Sequence, residues 1–368
     1  MLTKVLLSSC IAFLLVFLAI PIIMRVAEEK KLYDIPDERK IHKNPVASLG
    51  GIAMFAGFIL SVLIAQPFNL SYEFQYIIAA ATIIFFLGLK DDILIISPSK
   101  KFLGQLLAAV VVIYFGRLQI QSMHGFFGLT TLPHLFSLAL TYFTVLLIIN
   151  SFNLIDGVDG LAGSLGVVTS SIFGIYFMME NNITYALISF SLVGSLAGFL
   201  IYNRPPAKIF MGDTGAMLIG LINAVLVVKF IETAASPKAI NFIGASPAVG
   251  FAILMVPLFD TLRVFGLRIL SRRSPFTPDK NHIHHLLLER GWKPVTVTIL
   301  CVIINLAFAG FAFWAQNYMS CTLLILCLIA MGFAGIGILY FTGRRLRVVH
   351  KKTSDIYEED IRLVGTKK

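Results

Sequence analysis

Charged residues are few in this chain. Asp, Glu, Lys and Arg fill 14% of its 368 positions, against 57% that are hydrophobic. That shortage excludes a soluble enzyme with a large core, and a mean hydropathy of +0.85 places the chain in a membrane. Cysteine is scarce as well: Cys10, Cys301, Cys321 and Cys327 lie inside apolar runs, without paired short spacing. They support neither a zinc site nor a disulfide framework, and packing is their expected role. A Walker motif, a GxGxxG fingerprint, internal repeats and low-complexity tracts are also missing, so ATP-driven transport has no support. Nor does the sequence show the short alternating segments of a membrane barrel, which leaves helices as the spanning element.

What the chain does have is apolar sequence in repeated runs. They predict an all-α integral membrane protein, a polytopic helical bundle of about eleven transmembrane helices. These fall near 5–24, 49–66, 74–90, 102–120, 132–150, 161–179, 183–202, 214–231, 247–269, 295–316 and 319–342. The first run lacks a small-residue cleavage signature and is followed by a Glu- and Lys-rich loop, so it reads as a retained span. An odd number of spans puts the termini on opposite sides. The loops at 25–48, 90–101, 150–160, 203–213 and 270–294 then share one side with the tail. Of the 30 Lys and Arg, only Lys4, Arg117, Lys229 and Lys238 lie on the other side, with Arg263 left inside a span. The positive-inside rule makes the rich side cytoplasmic, including the C-terminus. The net charge of +10 is therefore orientation and contact with membrane lipids, not a nucleic-acid footprint. Residues 1–342 read as one polytopic domain and 343–368 as a basic cytoplasmic tail.

The informative polar residues all lie on that side. In the stretch 150–163, Asn150, Asn153, Asp156 and Asp159 recur every third residue, while Gly157 and Gly160 let the backbone leave helical geometry. A turn between spans needs one or two such residues. Four in register offer the converging oxygens that a hard divalent cation such as Mg²⁺ requires. Asp91 and Asp92 are adjacent at the end of the third span. Carboxylates this close repel, and a helix C-terminus is a poor place for acids, so a base-plus-binder pair is the sharper reading. Lys100 and Lys101 are either the flank of a span or, beside two aspartates, point charges for a pyrophosphate. Asp213, in the run FMGDTG at 210–215, is either a helix N-cap or a metal ligand. The cations of 39–51 either obey the positive-inside rule or clamp a phosphorylated ligand. In the long loop 271–294, three of seven histidines fall in HIHH at 282–285, before a short helical segment stopped by Gly291. No Cys or Glu completes a zinc pattern, and phosphate binding by imidazole fits better.

Taken together, the Asp91–Asp92 pair, the 150–163 run, FMGDTG and HIHH resemble one family across almost the whole chain: the polyprenyl-phosphate N-acetylhexosamine-1-phosphate transferases, glycosyltransferase family 4. HIHH and its SPFTPD lead-in at 274–279 look like the WecA and TagO branch; the related muramoyl-pentapeptide branch, the alternative, typically carries three consecutive histidines. One departure is Ile95, which stands where the WecA pattern has a third acid. The resemblance implies an active site on the cytoplasmic loops of a bacterial plasma-membrane enzyme. It implies transfer of a sugar-1-phosphate from a UDP-N-acetylhexosamine, with N-acetylglucosamine as our choice, to undecaprenyl phosphate, releasing UMP. The cofactor would be Mg²⁺, with Mn²⁺ as a substitute. By match to the family motifs, Asp213 and Asn153 would hold the metal and Asp91 would be the base, with Asp92 beside it. Asp156 would be essential near the metal, and Lys101 would bind pyrophosphate. Asp159, Asn203 and Phe210 would hold the uridine. Lys43 matches a cation of the first loop, and His284 and His285 match the phosphate-contacting histidines. Apolar membrane faces would permit a homodimer.

Two other classes compete. A secondary transporter would place its coupling acids near the midplane of broken spans, often in repeated halves. Here the acids cluster at one interface. The CDP-alcohol phosphotransferases use a longer acidic signature than this chain has.

Overall fold

A computed structural model describes residues 1–32, 46–66, 72–272, 274 and 281–341. Each predicted span position carries helix: α1 (Leu2–Lys30), α2 (Gly50–Ala65), α3 (Tyr72–Ile93), α4 (Pro98–Val110), α5 (His134–Ile155), α6 (Leu161–Met179), α7 (Ile183–Asn203), α8 (Gly212–Ala234), α9 (Ser246–Ile253) with α10 (Met255–Leu270), α12 (Pro294–Ala315) and α13 (Cys321–Phe341). Between α10 and α12 lies the short α11 (Ile283–Leu288). α4 passes into one π-helical turn, Val111–Phe115, and a small hairpin of β1 (Ser122–Phe126) and β2 (Leu129–Thr131) precedes α5. Two compact units result, Met1–Leu324 and Ile325–Lys368.

Among the described residues nine helices are long and apolar enough to cross a membrane, and the bent pair α9–α10 makes a tenth. The expected span at 49–66 is the exception. It is the 16-residue α2, at 1.5 Å per residue about 24 Å long and short of a typical hydrocarbon core. Its start is fixed by main-chain pairing: Ala47 bridges to Ile209, Gly50 N donates to Phe210 O at 2.9 Å and Gly51 N to Met211 O at 2.9 Å. The segment entering α2 is thereby laid along the segment entering α8.

α8 is the hub. It packs on α2, α3, α5, α6, α7 and α9, and it is apolar on every side, as a helix surrounded by others must be. α1 lies at the periphery with one buried stripe (Val5, Ser8, Ala12, Val16, Ile20) at helical spacing, and its other leucines face outward. The span at 247–269 is broken at Leu254, where α9 and α10 meet at 86°. A break inside an apolar bundle leaves main-chain groups needing partners. Asn305 of α12 provides them, accepting from Val256 N at 3.0 Å and donating to Ile253 O at 2.9 Å.

Candidate active site

α5 runs past its expected end at 150 to Ile155, because the first helix-breaking glycine is Gly157. Asn150 is thus mid-helix and donates to Gln105 Oε1 at 2.9 Å, while Asn153 lies one turn from the helix end. The start of α8 lies alongside, and Asp213 sits in its first turn. Met211, not Asp213, is the N-cap, and Asp213 turns its carboxylate to the Asn153 amide and to Lys101.

Lys101, from the first turn of α4, organises the centre. Its Nζ lies 2.7 Å from Asp213 Oδ2, 3.1 Å from Asp91 Oδ2 and 3.3 Å from Asn153 Oδ1. Two carboxylates and a carboxamide oxygen therefore converge on one cationic point. Asp91 is held there by Ile96 N, which donates to its Oδ1 at 2.9 Å.

Asp92, its neighbour, does something else. It accepts from Asp213 N at 2.7 Å, Thr214 N at 3.1 Å and the Thr214 hydroxyl at 2.6 Å. It is the cap of α8 supplied by α3, an anion on the positive end of a helix. Gly212 has φ +66°, and a Cβ there would meet the Asp92 carboxylate, so glycine is required for this approach.

Asp156 follows the last residue of α5, and its carboxylate makes no hydrogen bond among the described residues. Burial, then repulsion by Asp213, Asp92 and Asp159, raises its carboxyl well above the ordinary 3.8. Asp159 and Asn203 are buried and tie loops together. Asp159 accepts from Ala207 N at 3.0 Å, and Asn203 accepts from Gly160 N at 2.8 Å while donating to Ile209 O at 2.8 Å. Both ends of the Asn203 amide are thus engaged by the main chain. Phe210 contributes main-chain bonds to the 46–51 segment.

The histidine segment reaches this cluster through His284. A Cβ at Gly157 would collide with the His284 ring, so the ring rests directly on the turn after Asp156. His284 is 2% exposed, neither ring nitrogen has a partner among the described residues, and burial lowers it to about 3, leaving it neutral. The His285 ring lies 4.3 Å from that of His284. Lys43 lies outside the described residues. Ile95 is 98% exposed and supplies no group to the site.

Hard oxygen donors already gathered round an ammonium fit a divalent ion such as Mg²⁺, which takes one or two carboxylates and fills its shell with water and phosphate. Asp213 and Asn153 would be that set, with the Asp91 carboxylate beside them. Among the described residues no three acidic, imidazole or thiol groups form a closed metal cage.

The family model for glycosyl transferase family 4 matches residues 74–231, which carry all these groups except the histidines. A Bacillus subtilis (strain 168) protein named a probable undecaprenyl-phosphate N-acetylglucosaminyl 1-phosphate transferase is 32% identical over 311 residues, 83% of each chain. The chain belongs to glycosyl transferase family 4. Other members of the family are similar over comparable lengths. The Mycobacterium leprae (strain TN) decaprenyl-phosphate N-acetylglucosaminephosphotransferase is 33% identical over 314 residues, 78% of each chain. The Escherichia coli (strain K12) undecaprenyl-phosphate alpha-N-acetylglucosaminyl 1-phosphate transferase is 28% identical over 299 residues, 79% of this chain and 78% of its own.

Two residues that bond the segment leading to His284 were not foreseen, Asp260 and Arg263. The signal was present, since an acid and a base three apart inside an apolar run are expensive at membrane depth without a purpose.

Proposed function

We propose that this protein transfers N-acetylglucosamine-1-phosphate from UDP-N-acetylglucosamine to a polyprenyl phosphate, undecaprenyl phosphate in the first instance, releasing UMP. The observation that carries the proposal is the convergence of Asp91, Asn153, Lys101 and Asp213 where four spans end or begin, the level at which a lipid phosphate lies. The relatives named for this reaction support it, and the muramoyl-pentapeptide alternative is not favoured.

In the reaction an oxygen of the lipid phosphate attacks the β-phosphorus of the donor. The bridging Pβ–O bond breaks in line, and UMP departs with its electron pair. There is little covalent work for the protein; catalysis is positioning and charge neutralisation. Asp91, with Oδ1 anchored by Ile96 N, presents Oδ2 to take the proton of the lipid phosphate. Lys101 turns from the carboxylates to the donor pyrophosphate, for which its flexible stem is suited. His284, neutral with two unpartnered nitrogens, can donate one hydrogen bond to a phosphate and accept another. Asp159 and Asn203 shape the wall against which the uridine rests. Mg²⁺, held by Asp213 and Asn153, would neutralise the pyrophosphate charge. The charge distribution supports a cytoplasmic active site, with the donor arriving from water and the acceptor from the bilayer. The product would begin a cell-envelope polysaccharide.

The test is purified protein with undecaprenyl phosphate, Mg²⁺ and a panel of UDP-sugars, with UMP measured. UDP-N-acetylglucosamine should give the highest rate. UMP released only from another sugar nucleotide would reassign the donor, and none from any would overturn the reaction.

A further inference from the structure

Outside the carboxylate cluster, the densest buried polar group in the bundle is on α10. Asp260 is 1% exposed and its carboxylate accepts three bonds: from Arg263 Nη2 at 2.8 Å, from Ile283 N at 3.0 Å and from His282 Nδ1 at 2.9 Å. Arg263 extends the grip, donating through Nη2 to the carbonyl of Asn281. A buried ion pair is costly and rarely adds net stability over well-packed apolar residues, so its retention points to what it specifies. Between them the two partners bond to three consecutive residues, Arg263 to Asn281 and Asp260 to His282 and Ile283.

Those residues are the entry to α11. His282 occupies the N-cap position, yet its side chain makes no capping bond. Asp260 provides that cap from another helix, bonding the first amide of α11. It also sets the His282 ring. A carboxylate beside a guanidinium only accepts, so Nδ1 of His282 donates to Asp260, while Nε2 is buried without a partner among the described residues. The His282 ring stacks on that of His284 at 5.7 Å and 10°, and His284 rests on the Gly157 turn. The chain of contact runs without a gap from Asp260 through His282 and His284 to the residue next to Asp156.

We infer that Asp260, supported by Arg263, is the positioning residue for the histidine segment: it fixes His282 and the first turn of α11, and so holds His284 against the transfer site. It touches no substrate. The inference rests on the transferase reading above, and it explains why charges sit on the lower half of a broken span. α10 leaves α9 at 86°, and its polar face is turned to the one loop that must be brought back to the site.

The experiment is a double-mutant cycle on the full-length protein, combining Asp260→Asn with His284→Ala. It is read as turnover and donor KM, with melting temperature measured on each variant. Asp260→Asn should lower kcat about 10- to 100-fold, the usual effect of losing a group that orients a functional histidine, with donor KM changed far less. In the double variant the loss should be little greater than for His284→Ala alone, because both remove the same element. Losses that multiply, or wild-type turnover in Asp260→Asn, would overturn the inference. Should Asp260→Asn fail to fold, Arg263→Lys keeps the charge, removes the bond to Asn281, and is entered in the same cycle. Independently of activity, the ¹⁵N imidazole shifts of His282, assigned with His282→Gln, should report a protonated Nδ1 that changes in the Asp260 or Arg263 variant. An unchanged His282 signal would also overturn it. If wild-type protein releases no UMP, the functional reading fails, and the imidazole signal still decides whether Asp260 sets the ring.

Discussion

At the centre of the candidate site one lysine faces two carboxylates at close range. Lys101 pairs with both Asp91 and Asp213 and occupies the point where their oxygens meet. Lys101→Met should therefore bind Mn²⁺ more tightly than wild type in the absence of donor, read by electron paramagnetic resonance, while losing turnover. Weaker or equal Mn²⁺ affinity would show that the lysine does not hold the cation's place. Asp156 gives a pH prediction. Burial and its acidic neighbours raise the folded-state carboxyl above 3.8, so the folded protein binds more protons than the unfolded one. The stability this contributes is fully present below 3.8 and is lost as pH rises through the folded value. In chelator at neutral pH, Asp156→Asn should melt above wild type while being inactive, with the gap closing as pH falls. A lower melting point for Asp156→Asn at pH 7 would contradict this. His284 has the opposite sign. Lowered from 6.5 to about 3, it contributes stability above 6.5 that is lost as pH falls toward 3. His284→Gln should flatten that acid limb in a melting series.

Among the elements, α3, α4, α5 and α8 bring the candidate site together at one set of ends, and α3, α7 and α8 share polar contacts at the other. At the far end of α3, Glu73 meets Lys229 of α8 at 2.7 Å and accepts from the Tyr185 hydroxyl of α7 at 2.5 Å. Glu73→Ala should lower stability by about 1–3 kcal/mol, the range for losing hydrogen bonds to a charged group, and leave the kinetics of the folded protein at wild-type values. An altered donor KM would show that the two ends are coupled. The helices themselves were legible from apolar run length, and the site's acids from their place at one end of those runs. Three things were not. α5 extends past Asn150 because nothing before Gly157 stops it, which moves Asn150 from the site to a packing contact with Gln105. α9 and α10 break at a residue that is neither Gly nor Pro; the break is made tolerable by Asn305, some fifty residues away in sequence. Adjacent acids looked alike in sequence, yet helical geometry turns Asp91 to Lys101 and Asp92 to the start of α8. Propensity along one helix cannot report partners that another helix supplies.

At the largest scale, the unit Met1–Leu324 packs six helices on α8, whose first turn carries Asp213 of the candidate site. Asp213 therefore joins the first turn of the most buried helix among the described spans to the charge cluster. Asp213→Asn should abolish nearly all turnover while the protein folds and melts normally, since removing a charge aligned with a developing transition state is a loss of several kcal/mol. Activity near wild type at limiting Mg²⁺ would remove Asp213 from the metal assignment. The central claim concerns which bond is cut. UDP-N-acetylglucosamine labelled with ³²P in its β-phosphate, incubated with the protein and undecaprenyl phosphate, separates the two possibilities. Transfer of the sugar-1-phosphate carries the label into the organic phase as lipid-linked pyrophosphate and leaves unlabelled UMP in water, which is the predicted result. Label remaining in aqueous UDP while the sugar moves to lipid would contradict it.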